Sequence, residues 1–378
     1  MPADDPPDLE RLVDSVMRSG MATEKIPGAA VLLLHRGRIV LERGYGVADV
    51  ASRRPVNPHT TLWPFASITK VFTATAVVQL AARGRVNLAE DANRYLTSVR
   101  LPSTKWPPIT VADLLTHTDA LDELPGRLAQ SREKVLPLDQ FLSTHLARIG
   151  PPGIVTRYGS YGIAVAGVLI QDVSGLGYDR YLARNLFAPL GMRRTSIILP
   201  SSPDQDSIAT PYAENGGRLE KIDLEWYHTT PTSSLVSTVD DMARFMSLHL
   251  GTPLSQNAAT VLPPKWIREM ARRHATIHPA IPGWGYGWQQ NDANGQRIIE
   301  HGGDIGGFAS LMTLLPDQGF GLLVVSHLEG SSLRFKLKQA ILDRYFSDKR
   351  VPRVGAGRPK KELDIYTGTF LANNYCRS

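Results

Sequence analysis

Residues 64–88 read PFASITKVFTATAVVQLAARGRVNL, and the fold turns on them. From Ile68 to Ala82 the positions are apolar or small on nearly every side. A helix without a polar face must be buried, and Gly84 closes it. Ser67 and Lys70 stand three residues apart at its entry. On a helix, i and i+3 share a face, so the Lys70 amine lies beside the Ser67 hydroxyl. Burial disfavours an ammonium and lowers a lysine pKa, so the amine can take the hydroxyl proton. The helix N-terminus adds positive potential where an alkoxide would form. Read as packing alone, the pair is a capping serine with a snorkelling lysine. Ser131 and Lys134 repeat the spacing inside the polar stretch RLAQSREKV, which reads as an exposed segment.

Outward from this helix the patterning changes twice. Leu9, Leu12, Val13 and Val16 predict a helix over 8–20 that ends at Gly20. Ala29–His35 and Arg38–Tyr45 flank Arg36-Gly37 and predict a hairpin. The spacing from 85 to 250 is mainly helical, with helices expected at Val111–Leu115, Leu138–Ala147, Ala164–Val173, Tyr178–Phe187 and Thr238–His249. Short β-rich runs return at Tyr286–Gln290, Arg297–His301, Ala309–Leu315 and Gly319–Ser326, followed by a helix over Ser332–Phe346. At ~150 residues per domain, 378 residues allow two or three domains. The pattern resolves them into an α/β (α+β) sheet domain from 8–84 and 251–346, with a mostly helical domain inserted over 85–250. Residues 347–378 read as a basic linker, SDKRVPRVGAGRPKK, and the start of a C-terminal β segment, IYTGTFL.

Composition excludes several classes. With 42% hydrophobic and 21% charged residues, the chain is neither disordered, collagenous nor a coiled coil. The one cysteine, Cys376, rules out an intrachain disulfide and a cysteine-ligated metal. The net charge of +6 is dispersed and not interleaved with aromatics, so no nucleic-acid partner is expected. No run approaches the ~18 apolar residues of a membrane span. MPADDPPDLERL has acids and prolines where a signal peptide needs a basic and then an apolar run. A cytoplasmic location is therefore expected unless a leader has been removed. Walker A, H-E-x-x-H, G-x-S-x-G and strand-linked G-x-G-x-x-G signatures are absent. His274 and His278 lack an acidic partner and read as exposed loop, so no metal or cofactor is expected.

Five stretches in order carry a resemblance. They are Pro64–Lys70 with its helix, ITVADLLTHT at 109–118, Pro152-Gly153 with Tyr158-Gly-Ser-Tyr-Gly162, LVSTVDDMARF at 235–245, and His301-Gly-Gly-Asp-Ile-Gly-Gly-Phe308. Together they resemble the penicillin-binding-protein-like serine hydrolases: class C β-lactamases, D-aminopeptidases and related esterases. The resemblance spans about residues 8–346. It implies a β-lactamase-like fold, an antiparallel sheet flanked by helices with the site in a cleft. It also implies that Ser67 is the nucleophile, Lys70 its activator and Tyr158 the proton shuttle, with Tyr161 as the competing tyrosine. A positive site is expected to depress the Tyr158 pKa from its usual ~10. The oxyanion hole would be the backbone N–H groups of Ser67 and Asp304. His301, Gly302, Gly303 and Ser160 would bind substrate or support these groups, and no metal enters.

The chain departs from the family pattern at three places. Tyr-x-Asn reads Tyr158-Gly-Ser160, which removes an amide that can hold the lysine. Lys-Thr-Gly becomes His301-Gly-Gly303, a weak site for a substrate carboxylate, with His301 expected to hydrogen-bond Tyr158 and lower its pKa when protonated. Asp119-Ala-Leu121 stands where relatives often have Ser-Gly-Leu. Trp284, Tyr286 and Trp288 read as sheet packing, while Trp226 and Tyr227 could line the acyl pocket. The expected activity is hydrolysis of a small-molecule carboxylic ester or amide through an acyl-enzyme on Ser67. The alternatives are acyl transfer to an amine or alcohol, D-amino-acid peptidase or weak β-lactamase activity, and a catalytically silent binding protein.

Overall fold

The computed structural model describes residue 6 and residues 8–197, 207–278 and 281–346. The expected linker, the β segment and Cys376 lie outside these residues. The chain opens with α1 (Leu9–Glu24), then β1 (Gly28–His35) and β2 (Arg38–Asp49), joined by the turn at Arg36-Gly37. Both turn residues have positive φ, 48° and 77°, the geometry whose twist matches a two-residue hairpin. A short β3 (Arg54–Pro55) follows. After the helical central region come β4 (Gln289–Ala293), β5 (Gln296–Ile305), β6 (Phe308–Leu315) and β7 (Phe320–His327). The seven strands form one sheet in the order β4-β5-β6-β7-β1-β2-β3. Every neighbouring pair is antiparallel.

Strand alternation divides the interior. Ala30, Leu32 and Leu34 of β1 join the large core, whereas Ala29, Val31 and Leu33 join a second one. The second core contains α1 and the last helix, α5 (Leu333–Tyr345). The large core holds α2 (Thr69–Ala82), α3 (Tyr161–Ser174) and α4 (Val239–His249). In α2, Thr69 to Ala81 are all buried, so the helix has protein on every side. Phe72 stacks on Phe245 of α4 at 3.6 Å between ring centroids. Thr238 caps α4 by accepting from the Asp241 N–H. The molecule is thus mixed α/β, a large antiparallel sheet flanked by helices. Among the described residues, no helix is long and apolar enough to cross a membrane.

Two expectations are corrected. Gly20 does not end α1, which continues to Glu24 and stops at Lys25 with φ 55°. Gly20 instead marks a close helix crossing, where a Cβ would lie 2.4 Å from Leu333 Cδ1 of α5. The strand expected over Tyr286–Gln290 begins at Gln289, because Gly287 takes φ 73° and breaks the extended run.

Candidate active site

The nucleophile candidate sits at a junction. Ala66–Ile68 form a 3₁₀ turn that runs into α2 at Thr69. Ser67 lies on the 3₁₀ turn and Lys70 in the first turn of α2, three residues on, so the two side chains share one side of the junction. Ala66 holds φ 47°, a left-handed conformation that a non-glycine residue adopts at some cost. Phe65 N–H donates to Leu235 O at 2.9 Å, and Leu235 N–H donates to Thr69 Oγ1 at 3.0 Å. These bonds pin the turn from both sides and leave Ser67 partly exposed.

Lys70 Nζ stands 2.9 Å from Ser67 Oγ and 3.2 Å from Thr232 O. Lys70 is 1% exposed. Burial pulls its pKa down to about 7, the positive Arg127 pulls in the same direction, and Glu123 opposes them. A large part of the amine is therefore uncharged near neutral pH.

Tyr158 is a second neighbour of Ser67. Lys70 Nζ is 5.0 Å from its ring centroid, and its phenol shares a hydrogen bond with Ser67. The expected depression of its pKa is corrected. Burial pushes it up, and the Ser67 bond and Arg127 recover only part of the shift. Tyr158 is therefore a neutral O–H donor. Tyr161 is engaged elsewhere, donating to Leu124 O at 2.6 Å.

Three rings that sequence reading left out of the site, or misread, surround Tyr158. Trp284 stacks on it at 5.7 Å and His117 lies 4.8 Å away, while His301 sits at 5.9 Å. Trp284 is thus a wall of the site and not sheet packing. His301 Nδ1 donates to Gly302 O at 2.7 Å, while its Nε2 is buried without a partner. Burial and the nearby Lys70 push its pKa down to about 3. The expected role of a protonated His301 bonded to Tyr158 is therefore corrected to a neutral ring that presents an acceptor nitrogen. His117 accepts from Gly159 N–H at 3.3 Å through Nδ1, and burial holds it neutral too.

Ser160 does not reach the lysine. It is buried, and its Oγ accepts from Arg127 Nη1 at 2.9 Å. Glu123 accepts from the N–H groups of Ser160 and Tyr161 at the start of α3 and lies 3.9 Å from Arg127. Arg127 and Glu123, 33 and 37 residues before Ser160, gave no local signal in the sequence. Asp119 also gains an account. It is buried, accepts from Leu121 N–H at 2.8 Å, and packs where a Gly162 Cβ would lie 2.1 Å from its Oδ2. Burial pushes its pKa up to about 7. Ala120 beside it has φ 55°, so a glycine-favouring conformation persists without the glycine.

The edge of β5 completes the cluster. Pairing with β4 ends at Glu300, so the outer edge of residues 301–305 is uncovered by that strand. A Cβ on Gly303 would lie 2.3 Å from Phe65 O and 3.2 Å from Ala66 Cβ. The strand is therefore pressed against the turn that carries Ser67. At Gly302 a Cβ would meet only Ser310 O, at 3.8 Å. Gly306-Gly307 form the β5–β6 turn. The Asp304 side chain points away from Ser67 to Arg334 of α5, at 2.7 Å, leaving only its backbone on the Ser67 side.

The family model described as Beta-lactamase matches residues 13–346. The chain belongs to the β-lactamase family. A curated relative, Protein flp of Staphylococcus aureus (strain MRSA252), is 24% identical over 374 residues, 95% of this chain and 71% of that protein. The octameric penicillin-binding protein homologue from Pyrococcus abyssi superposes with a TM-score of 0.77 at 23% identity, covering 89% of this chain and 77% of that one. EstCE1, described as a hydrolase with promiscuous acyltransferase activity, superposes with a TM-score of 0.74 at 20% identity, covering 88% and 98%. These structural likenesses establish the fold.

Among the described residues, Glu42, His59 and Asp240 form a group of potential metal ligands, with one atom each within 4.8 Å. They share no residue with the Ser67 cluster. The packing around β5 makes one outcome specific. Gly303→Ala is expected to displace β5 from the Ser67 turn and cut hydrolase turnover by ~10²-fold, while Gly302→Ala stays within about threefold of the parent. Steady-state kinetics of the two variants, with thermal melts as a fold control, check this.

Proposed function

We propose that the protein is an acyl-serine hydrolase that cleaves a carboxylic ester or amide through a covalent acyl-enzyme on Ser67. The supporting observation is the buried Lys70 amine 2.9 Å from Ser67 Oγ, with its pKa brought down to about 7. A free amine at that distance takes the Oγ proton as oxygen attacks the carbonyl carbon. The negative charge formed on the carbonyl oxygen is met by the N–H groups of Ser67 and Asp304, each such donor being worth ~3–4 kcal/mol. Tyr158, held protonated by its raised pKa, gives its proton to the leaving oxygen or nitrogen and regains one from the Lys70 ammonium. The carbonyl then re-forms as an acyl ester on Ser67. Water, deprotonated by the same pair, releases the acid and restores the serine.

A neutral ester is favoured over a β-lactam, because the neutral His301 gives a substrate carboxylate no ion pair. The cavity that Trp226 and Tyr227 border with Val135, Glu225 and Ile305 has a volume of only about 10 Å³ and touches none of Ser67, Lys70 and Tyr158, so it lends no support to an acyl-pocket role for the two rings. Acyl transfer to an amine or alcohol is a second reading, supported by the fold shared with EstCE1.

A panel of p-nitrophenyl esters, D-amino-acid amides and nitrocefin, with and without added amine, tests the assignment alongside labelling by a serine-reactive phosphonate. Ester turnover and a single phosphonate adduct lost in Ser67→Ala are expected. Turnover that survives in Ser67→Ala would overturn the assignment, and an amine-dependent second product would favour transfer. The pH profile carries the role of Lys70. The base must be uncharged, so kcat/KM is expected to rise as pH increases through about 7. Arg127→Gln removes a like charge that depresses the Lys70 pKa and leaves Glu123 to raise it. That limb is therefore expected to move to higher pH in the variant. A profile that stays in place would exclude Arg127 from setting the base.

A further inference from the structure

The Asp304 carboxylate faces away from Ser67, yet it belongs to a bonded network that reaches the peptide beside Ser67. Arg334 of α5 is buried. Its Nη1 donates to Gly303 O at 2.8 Å and Ser310 O at 3.0 Å, and its Nη2 donates to Asp304 Oδ2 at 2.7 Å. Asp304 Oδ1 in turn accepts from Gly330 N–H at 3.0 Å. From the opposite face of the sheet, buried Ser310 lies 3.4 Å from the same Gly303 O through its Oγ, and 3.3 Å from Phe65 O. The two faces follow from alternation. A Gly303 Cβ would point at Phe65 and at Ser310 Oγ, so the next side chain, Asp304, points to the α5 side.

Gly303 C=O and Asp304 N–H belong to one peptide plane. No cis bond occurs among the described residues, so the two groups point in opposite directions. Gly303 O is directed toward β6, where Ser310 and Arg334 bond it. Asp304 N–H is therefore directed to the open edge of β5, beside the Ser67 turn. Gly303 pairs with Ser310 in that ladder, and the two-residue turn at Gly306-Gly307 sets the same alternation.

We infer that Ser310 and Arg334 are positioning residues that hold the Gly303–Asp304 peptide with its N–H aimed at the reacting carbonyl oxygen, and that the Asp304 carboxylate anchors Arg334 for this task. The inference rests on the acyl-serine reading above. Ser310 has a further part, because Phe65 O lies at the start of the strained turn that presents the Ser67 N–H. One hydroxyl thus touches both strands of chain that would supply the oxyanion donors. A donor fixed in advance does not need to reorganise as charge develops, and neither side chain touches substrate.

The test compares Ser310→Ala and Asp304→Asn with the parent enzyme, using p-nitrophenyl butyrate and an alkyl trifluoromethyl ketone, which adds to a serine as a tetrahedral oxyanion. Asp304→Asn keeps the backbone N–H but removes the charged anchor, and Ser310→Ala avoids the folding risk of emptying the Arg334 position. Both are expected to lower kcat by ~10-fold or more with KM changed less than about threefold. Ketone affinity should fall in step with kcat/KM, a coupling that a purely structural role would not produce. Folded variants with parental kcat and ketone affinity, in an enzyme whose Ser67 takes the phosphonate label, would overturn the clamp alone. If the parent takes no label at Ser67, the acyl-serine reading fails and the clamp fails with it.

Discussion

A primary amine buried against a serine hydroxyl is the constraint around which the molecule is arranged. Lys70 lies on a helix enclosed on all sides, where an ammonium would forfeit most of its hydration. Among the described residues it meets two oxygens, Ser67 Oγ and Thr232 O, and no carboxylate at contact distance. Glu123, the acid that acts on it, is occupied by the backbone at the start of α3 and lies close to Arg127. That arrangement leaves the charged form weakly supported. Thr73 adds to the enclosure by bonding Pro231 O at 2.6 Å and Tyr178 OH at 2.7 Å, which ties α2 to the segment that carries Thr232.

The surrounding groups divide by origin. The sheet contributes the edge of β5, where backbone geometry is set by strand pairing and by side chains from both faces. The central region between the two sheet-forming parts contributes Tyr158, whose pKa is raised by burial, together with Arg127, Glu123 and the Thr232 carbonyl. Of the two proposed backbone donors, Asp304 N–H comes from the sheet and Ser67 N–H from the turn that enters α2. Neutral His117 and His301 flank Tyr158, so the rings around the phenol bring no further positive charge. Arg127 is the nearby cation that influences both Lys70 and Tyr158.

Much of this was visible in the sequence wherever the cause is local. The apolar circumference of residues 68–82 marked the central helix, β-rich runs bounded by turn residues marked β1, β6 and β7, and Arg36-Gly37 marked the first turn. The Ser67–Lys70 spacing needed only helical geometry, and the meeting of Tyr158 with Ser67 followed from the family resemblance. What escaped has non-local causes. Gly20 looks like a helix terminator until Leu333 is seen against it. Trp284 looks like an alternating strand residue, but the strand begins only at Gln289 and the indole stacks on Tyr158. Arg127 reaches Ser160 across a loop that no periodicity describes. The direction of the Tyr158 shift, and the neutrality of His301, depend on burial by segments far apart in sequence, so residue type alone pointed the wrong way.

Direct titration of Lys70 tests the central claim. With lysines labelled at ¹³Cε and Lys70 assigned by comparison with Lys70→Arg, its resonance is expected to titrate with a midpoint at about 7, well apart from the exposed lysines near ~10.4. A Lys70 midpoint among those exposed lysines would contradict the account, because the amine would then be an ammonium throughout the neutral range and could not take the Ser67 proton.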